Sequence, residues 1–129
     1  MKKIILVIDD QPEIRTLICM TMDYDDFEVH EAENGDSGLK MIKALRPSVV
    51  LLDVMMPGLL DGFQVCERVR ADPEIAGTPI VMLTARGQQS DIEEGRRAGC
   101  NDYLTKPFSP LQLIETVERL VSASGGTSR

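Results

Sequence analysis

The chain has 129 residues, 43% of them hydrophobic and 27% charged, a composition suited to one globular domain that buries its own core without disulfide or metal staples. With 14 basic against 21 acidic residues the formal charge is −7, which argues against general affinity for nucleic acid or an anionic membrane surface. Cys19, Cys66 and Cys100 are far apart and lack metal-ligand spacing, so they read as incidental thiols of a reducing compartment.

The N-terminal run Ile4 to Ile8 follows Lys2-Lys3 and stops after five residues at Asp9-Asp10. A secretory signal needs a longer apolar region, roughly 7–15 residues, and a membrane span needs roughly 18 or more. The expectation is a cytoplasmic chain with no membrane association. Ile4 to Ile8 instead reads as a strand buried on both faces. Pro12 suits a first helical turn, and Ile14, Leu17, Ile18 and the Thr21/Met22 pair recur at helical spacing, predicting a helix from Pro12 to Met22. Phe27 to Ala32 alternates apolar and polar residues, as an edge strand does. His30 on that strand is expected to face solvent.

Asn34-Gly35 is a turn signal, after which Leu39, Met41, Ile42 and Leu45 mark a second helix closed by Pro47. Val49 to Leu52 is a second fully apolar strand, ending abruptly in Asp53. Asp61-Gly62 opens a helix carrying Val65, Cys66 and Val69, which Asp72-Pro73 ends. Pro79 to Leu83 is an apolar strand ending in Thr84. Ser90 to Glu93 has the form of a capping box for a polar helix that stops at Gly99. Tyr103-Leu104-Thr105 is a short strand ending at Lys106-Pro107. Ser109-Pro110-Leu111-Gln112 starts a last helix with an expected apolar face of Leu111, Ile114, Val117, Leu120 and Val121. Met20, Met41 and Met82 read as core filler, and the charges of the fourth helix as a solvated face.

Strands alternating with helices predict an α/β fold, (βα)₅, with a doubly wound parallel sheet and right-handed crossovers. The polar second strand belongs at an edge, which favours the flavodoxin-like order 2-1-3-4-5 over half of a Rossmann fold. Residues 1–122 form the domain, and 123–129 a flexible polar tail or the start of a linker.

In that order the strand ends bring Asp9, Asp10, Asp53, Thr84 and Lys106 around one crevice, at the switch point where ligands bind. Each residue alone has a plain reading as a cap, a turn residue or a surface lysine. Together they make a chemistry. Three crowded carboxylates repel unless a cation is present, and a hard divalent ion, Mg²⁺ above all, answers that. A hydroxyl and an ammonium opposite complete a clamp for a phosphoryl group, toward which Asp53 is a competent nucleophile.

Ile8-Asp9-Asp10, Leu52 to Gly58, Asp61-Gly62, Leu83-Thr84-Ala85, Ala98-Gly99, Asp102-Tyr103 and Lys106-Pro107-Phe108 together resemble the receiver domain of two-component response regulators, from about Lys2 to Val121. The resemblance implies that Asp53 accepts a phosphoryl group from a phosphohistidine on a sensor histidine kinase or histidine phosphotransfer protein. It implies Asp10, Asp53 and the Met55 main-chain carbonyl as Mg²⁺ ligands, with Asp9 assisting through water. Lys106 is then the phosphoryl counter-ion and Thr84 the switch hydroxyl. Tyr103 is the aromatic that turns inward with Thr84, and the Lys106-Pro107 bond is expected to be cis. Met55 and Arg86 are expected to tune the lifetime of the acyl phosphate.

The face made by the fourth helix, fifth strand and fifth helix would report phosphorylation to a downstream protein or output domain, or form a phosphorylation-dependent dimer. Such a chain is a signalling switch and not an enzyme; only phosphoryl acceptance and slow autodephosphorylation are its own chemistry. The resemblance leaves open whether the receiver stands alone or belongs to a longer regulator. One departure is present: the usual Pro-Gly-x-Asp-Gly loop carries an extra residue here, between Gly58 and Asp61, and is expected to bulge without moving Asp53. A haloacid-dehalogenase-type phosphatase would need a second Asp at position 55. A flavin carrier would not place Asp9-Asp10 where it needs a phosphate loop. An unphosphorylated pseudo-receiver acting as an interaction module is the remaining alternative, against which the acid set is complete.

Overall fold

The computed structural model of the protein describes residues 2–23, 26–56, 58–85 and 89–127, with side chains through Ser122. Five strands alternate with five helices: β1 (Lys3–Ile8), α1 (Pro12–Met22), β2 (Phe27–Ala32), α2 (Gly35–Leu45), β3 (Val49–Asp53), α3 (Gly62–Ala71), β4 (Ile80–Ala85), α4 (Gln89–Ala98), β5 (Asp102–Lys106) and α5 (Pro110–Thr127). The strands form one parallel sheet in the order β2-β1-β3-β4-β5. Fold class and strand order are as expected.

The apolar runs of β1, β3 and β4 are continuous because helices cover both faces. Leu6, Ile8, Val50, Leu52, Ile80 and Met82 point into a core shared with Ile42 of α2, Val65 and Val69 of α3 and Ala98 of α4. Their neighbours Ile5, Val7, Val49, Leu51, Val81 and Leu83 point the other way, onto Ile18 and Met22 of α1 and Leu113 and Val117 of α5. The period of two along each strand divides the core into two layers. β2, at the edge, buries only its two ends, Phe27 and Ala32, with Glu28 and Glu31 exposed between them, and His30 on it is partly exposed beside Glu28.

Several local expectations are revised. Asn34 is the N-cap of α2 and not a turn residue, its side-chain oxygen accepting from the Ser37 N–H. The α4 helix begins at Gln89, so Ser90 lies within the first turn and does not cap it. Met20 is 81% exposed, because position 20 falls on the solvent side of a helix whose buried stripe is Ile18 and Met22. Leu111 is 63% exposed for the same reason, and Leu113 takes its place on the buried stripe of α5. Ser109 and Gln112 do form the capping box expected at the start of that helix. The helix continues to Thr127, into the Ser/Gly-rich segment, and a domain boundary near residue 122 stands as a proposal. Arg86 lies outside the described residues.

The segment that places Asp53 is fixed by α3. Asp61 and Gln64 make a reciprocal capping box, each side chain accepting from the other residue's N–H at 2.9 Å. The backbone of Gly62 lies against β3: a Cβ there would stand 2.3 Å from the Asp53 carbonyl oxygen. Asp61→Ala is expected to lower stability by about 1 kcal/mol through loss of the cap. Gly62→Ala is expected to cost about 2 kcal/mol, because its obstacle is backbone. Urea unfolding midpoints of the two variants check the order; equal losses would contradict it.

Candidate phosphoryl-acceptor site

The carboxyl ends of β1 and β3 are neighbours in register, Ile8 opposite Leu52, so the residues that follow leave the sheet side by side. Asp9 and Asp10 issue from β1 and Asp53 terminates β3. One carboxylate oxygen from each of the three lies within 4.8 Å of the others. On the far side, Ala85 of β4 pairs with Lys106 of β5. The Lys106 ammonium reaches back across β4 to stand 2.9 Å from Asp9 Oδ2 and 3.4 Å from Asp53 Oδ1. A cleft of about 320 Å³ opens over these groups, lined by Asp10, Gln11, Asp53, Val54, Met55, Ala85 and Lys106.

Asp9 is fully buried and Asp53 nearly so, whereas Asp10 is the more accessible of the three. Asp9 is held by the Gln11 N–H on Oδ1 at 2.8 Å, but its Oδ2 has the Lys106 charge nearby without an aligned hydrogen bond. Asp53 Oδ1 accepts from the Met55 N–H at 3.2 Å. Burial pushes the Asp53 carboxyl up to about 7, the Asp9 charge and a hydrogen bond with Asp10 add to the rise, and Lys106 and the Met55 N–H oppose it. One lysine does not neutralise three carboxylates.

Thr84 lies next along the sheet, one residue past Leu83, which pairs with Asp53. Its side chain is buried and its hydroxyl has no hydrogen-bond partner among the described residues. Tyr103 is 39% exposed on β5 and pairs with Met82, so it is not part of the cluster. The Met55 side chain is also exposed, and its backbone alone faces the acids. The Lys106-Pro107 peptide is cis.

Two contributors were missed from the sequence. Gln11 accepts from the Lys106 ammonium at 2.8 Å, steering it, while its own N–H holds Asp9. Arg15, one turn into α1, donates to the Asp9 carbonyl at 2.7 Å and pairs with Glu31 of β2. The signal for Gln11 was its place directly after the acid pair; Arg15 carried none.

The acid set fits a hard divalent ion. Three carboxylates bring one oxygen each within 4.8 Å of the others, hard donors of the kind such an ion takes, and Asp9 Oδ2 accepts no hydrogen bond among the described residues. Asp10 sits at the open side of the cluster.

The pattern that describes the response regulator receiver domain matches residues 5–118. The chain belongs to the response regulator receiver family. It is similar to the transcriptional regulatory protein ResD of Bacillus subtilis, 40% identical over 124 residues that cover 96% of this chain and 50% of ResD. It is also similar to SrrA of Staphylococcus aureus, 37% identical with the same coverage of each chain. The chain spans about half the length of the curated relatives it matches. Among solved structures, the receiver resembles chemotaxis protein CheY4 of Vibrio cholerae, with a TM-score of 0.85 and 32% identity over 93% of this chain and 99% of that one. It resembles a Francisella response regulator receiver domain equally, with a TM-score of 0.85 and 31% identity over 95% and 99% of the two chains. Receivers are signalling switches and not enzymes in the ordinary sense, and receivers in general bind Mg²⁺ at an acidic pocket. Among the described residues, no helix of this receiver is long and apolar enough to cross a membrane.

The raised Asp53 carboxyl gives a pH signature in the absence of divalent cations. Folding binds a proton that the unfolded chain releases above about 4, so Asp53 contributes stability below that pH and loses it as pH rises through about 7. Asp53→Asn, which carries no charge at any pH, is expected to be more stable than the parent at pH 8 and to lose that advantage toward pH 4. Urea unfolding in EDTA across this range measures the difference; a pH-independent one would contradict the assignment of burial as the cause.

Proposed function

We propose that this receiver takes a phosphoryl group from a phosphohistidine onto Asp53 and, in that state, changes the face formed by α4, β5 and α5 for a partner. The observation that carries the reading is the position of Lys106, with its ammonium between Asp9 and Asp53 and its direction set by Gln11. A lysine so placed is a fixed positive charge at the atom where negative charge accumulates. In the transfer, one Asp53 carboxylate oxygen forms a bond to phosphorus as the bond from phosphorus to the donor imidazole nitrogen breaks. The imidazole leaves with its electron pair and becomes the neutral ring on protonation. Asp53 gains a mixed anhydride, and its charge goes from one negative to about two.

Asp9, Asp10, Asp53 and the Met55 carbonyl are the residues that would hold Mg²⁺. When bound, the ion supplies positive charge against the three carboxylates and the phosphoryl oxygens. Lys106 would then pair with the phosphoryl group, exchanging an overcrowded contact for one with greater charge. The buried Thr84 hydroxyl, which has no partner among the described residues, is the group that would donate to a phosphoryl oxygen. Its movement would open the space into which the exposed Tyr103 ring turns. That rearrangement is the two-state element biased by the added charge.

The donor is a sensor histidine kinase or a histidine phosphotransfer protein, in the cytoplasm. The recipient is a downstream protein or output domain, or a second copy in a phosphorylation-dependent dimer. Return of the switch is by slow hydrolysis at Asp53, whose rate Met55, at the mouth of the cleft, and Arg86, two residues after Thr84 in the sequence, would tune.

Incubation with a small acyl phosphate and Mg²⁺, followed by intact mass, tests the reading. The parent is expected to gain one phosphoryl group, Asp53→Asn none, and Thr84→Ala one, with the last failing to protect Tyr103 from solvent in hydrogen exchange or fluorescence quenching. No adduct in the parent would leave the protein a binding module. An adduct that persists in Asp53→Asn would move the acceptor elsewhere.

A further inference from the structure

The extra residue between Gly58 and Asp61 does more than lengthen a loop. Leu60 turns inward and is buried, its carbonyl close against Gly35 at the start of α2. Leu59 is turned outward and is 83% exposed. It stands at the head of a hollow of about 420 Å³ between α2 and α3, whose floor is Leu39 and Leu60 and whose rim is Asp36, Lys40, Lys43 and Arg68. A second hollow of about 380 Å³ continues from Leu60 and Arg68 along α3, past Gln64 and Glu67 to Ala71. Two helices thus flank one trough with an apolar floor.

The charge of this trough is opposite to that of the chain. Three cations face one carboxylate around the first hollow, on a protein whose formal charge is −7. Lys43 stands 3.7 Å from Asp72, while Lys40 and Arg68 have no ion pair among the described residues. Asp36 lies at the Leu59 end, where Leu59 also borders a separate hollow with Asp10 and Glu33, and Glu67 lies at the far end of the second hollow, so the positive stretch is confined to the middle, at Lys40 and Arg68. The phosphoryl-acceptor cleft opens elsewhere, on Asp53 and Lys106, and the trough serves none of its chemistry.

We propose that the α2–α3 trough docks an acidic amphipathic helix of a partner protein, with an apolar side chain against Leu59, Leu39 and Leu60 and acidic side chains against Lys40 and Arg68. An exposed leucine beside a preformed apolar hollow is the anchor half of a helix-in-groove contact, and unpaired cations on its rim select acidic over basic sequences. The overall negative charge of the chain makes that selection local, so long polyanions are disfavoured while a short acidic segment is admitted.

The test uses the intact chain and a fluorescent synthetic helix of about 14 residues, with Leu at i, i+4 and i+7 and Glu on the flanking positions. Fluorescence anisotropy is expected to show saturable binding. Leu59→Ser and the pair Lys40→Glu with Arg68→Glu should each weaken it by about tenfold or more, and Glu118→Lys on the opposite face should leave it unchanged. All these positions are at the surface, and a thermal melt of each variant confirms that it is folded. Asp53→Asn binding as tightly as the parent would keep this result separate from the phosphoryl-acceptor reading. Absence of binding, equal binding of a scrambled acidic peptide or of polyglutamate, or a change in self-association of the chain in place of peptide binding would each overturn the proposal.

Discussion

Two carboxylates with almost no access to water sit at the ends of adjacent parallel strands, a third stands beside them, and one ammonium stands against the first two. The rest of the structure is arranged around this imbalance. A buried charge without full compensation is costly in a low-dielectric surrounding, and the raised Asp53 carboxyl is the direct expression of that cost. A second cation would relieve it. Conversion of Asp53 into a mixed anhydride would add to it, placing about two negative charges on oxygens that reach further toward Lys106 and Thr84.

The sheet is what makes the crowding possible. β1 and β3 are neighbours although β2 intervenes in the sequence, so their chains diverge to opposite faces at their carboxyl ends and leave a crevice. The apolar runs before Asp9 and Asp53 are buried on both faces, which fixes the strands and gives the acids little freedom to separate. Gly62 pressed against the Asp53 carbonyl and the Asp61–Gln64 capping box anchor the following loop. Rigid support thus stands on one side of the site, and on the other a buried threonine hydroxyl with no partner among the described residues.

How much of this was legible in the sequence follows from which signals are local. Strand ends that stop in Asp9, Asp53, Thr84 and Lys106 are readable because an apolar run ending in a polar residue marks both the element and its terminus. The strand order follows from the polarity of one edge strand. Helix faces were less legible at their ends: Met20 and Leu111 satisfy a hydrophobic pattern yet lie two positions from the buried residues of the stripe that the sheet covers. Asn34 looked like a turn because Asn-Gly serves both purposes, and only the Ser37 N–H on its side chain makes it a cap. Gln11 and Arg15 escaped because their roles depend on a lysine almost a chain length away and on the rotation of α1 over the end of β1. The extra loop residue was visible, but not that it would bury Leu60 and expose Leu59.

The most direct measurement of the central claim, that excess negative charge at these strand ends is answered by a hard cation, is thermal unfolding during a Mg²⁺ titration at pH 7 and constant ionic strength. A ion that binds only the folded chain raises its melting temperature with concentration. The account predicts a rise for the parent, a much smaller one for Asp53→Asn, and none with a monovalent salt. An equal rise in both proteins, or no rise in the parent, would contradict it.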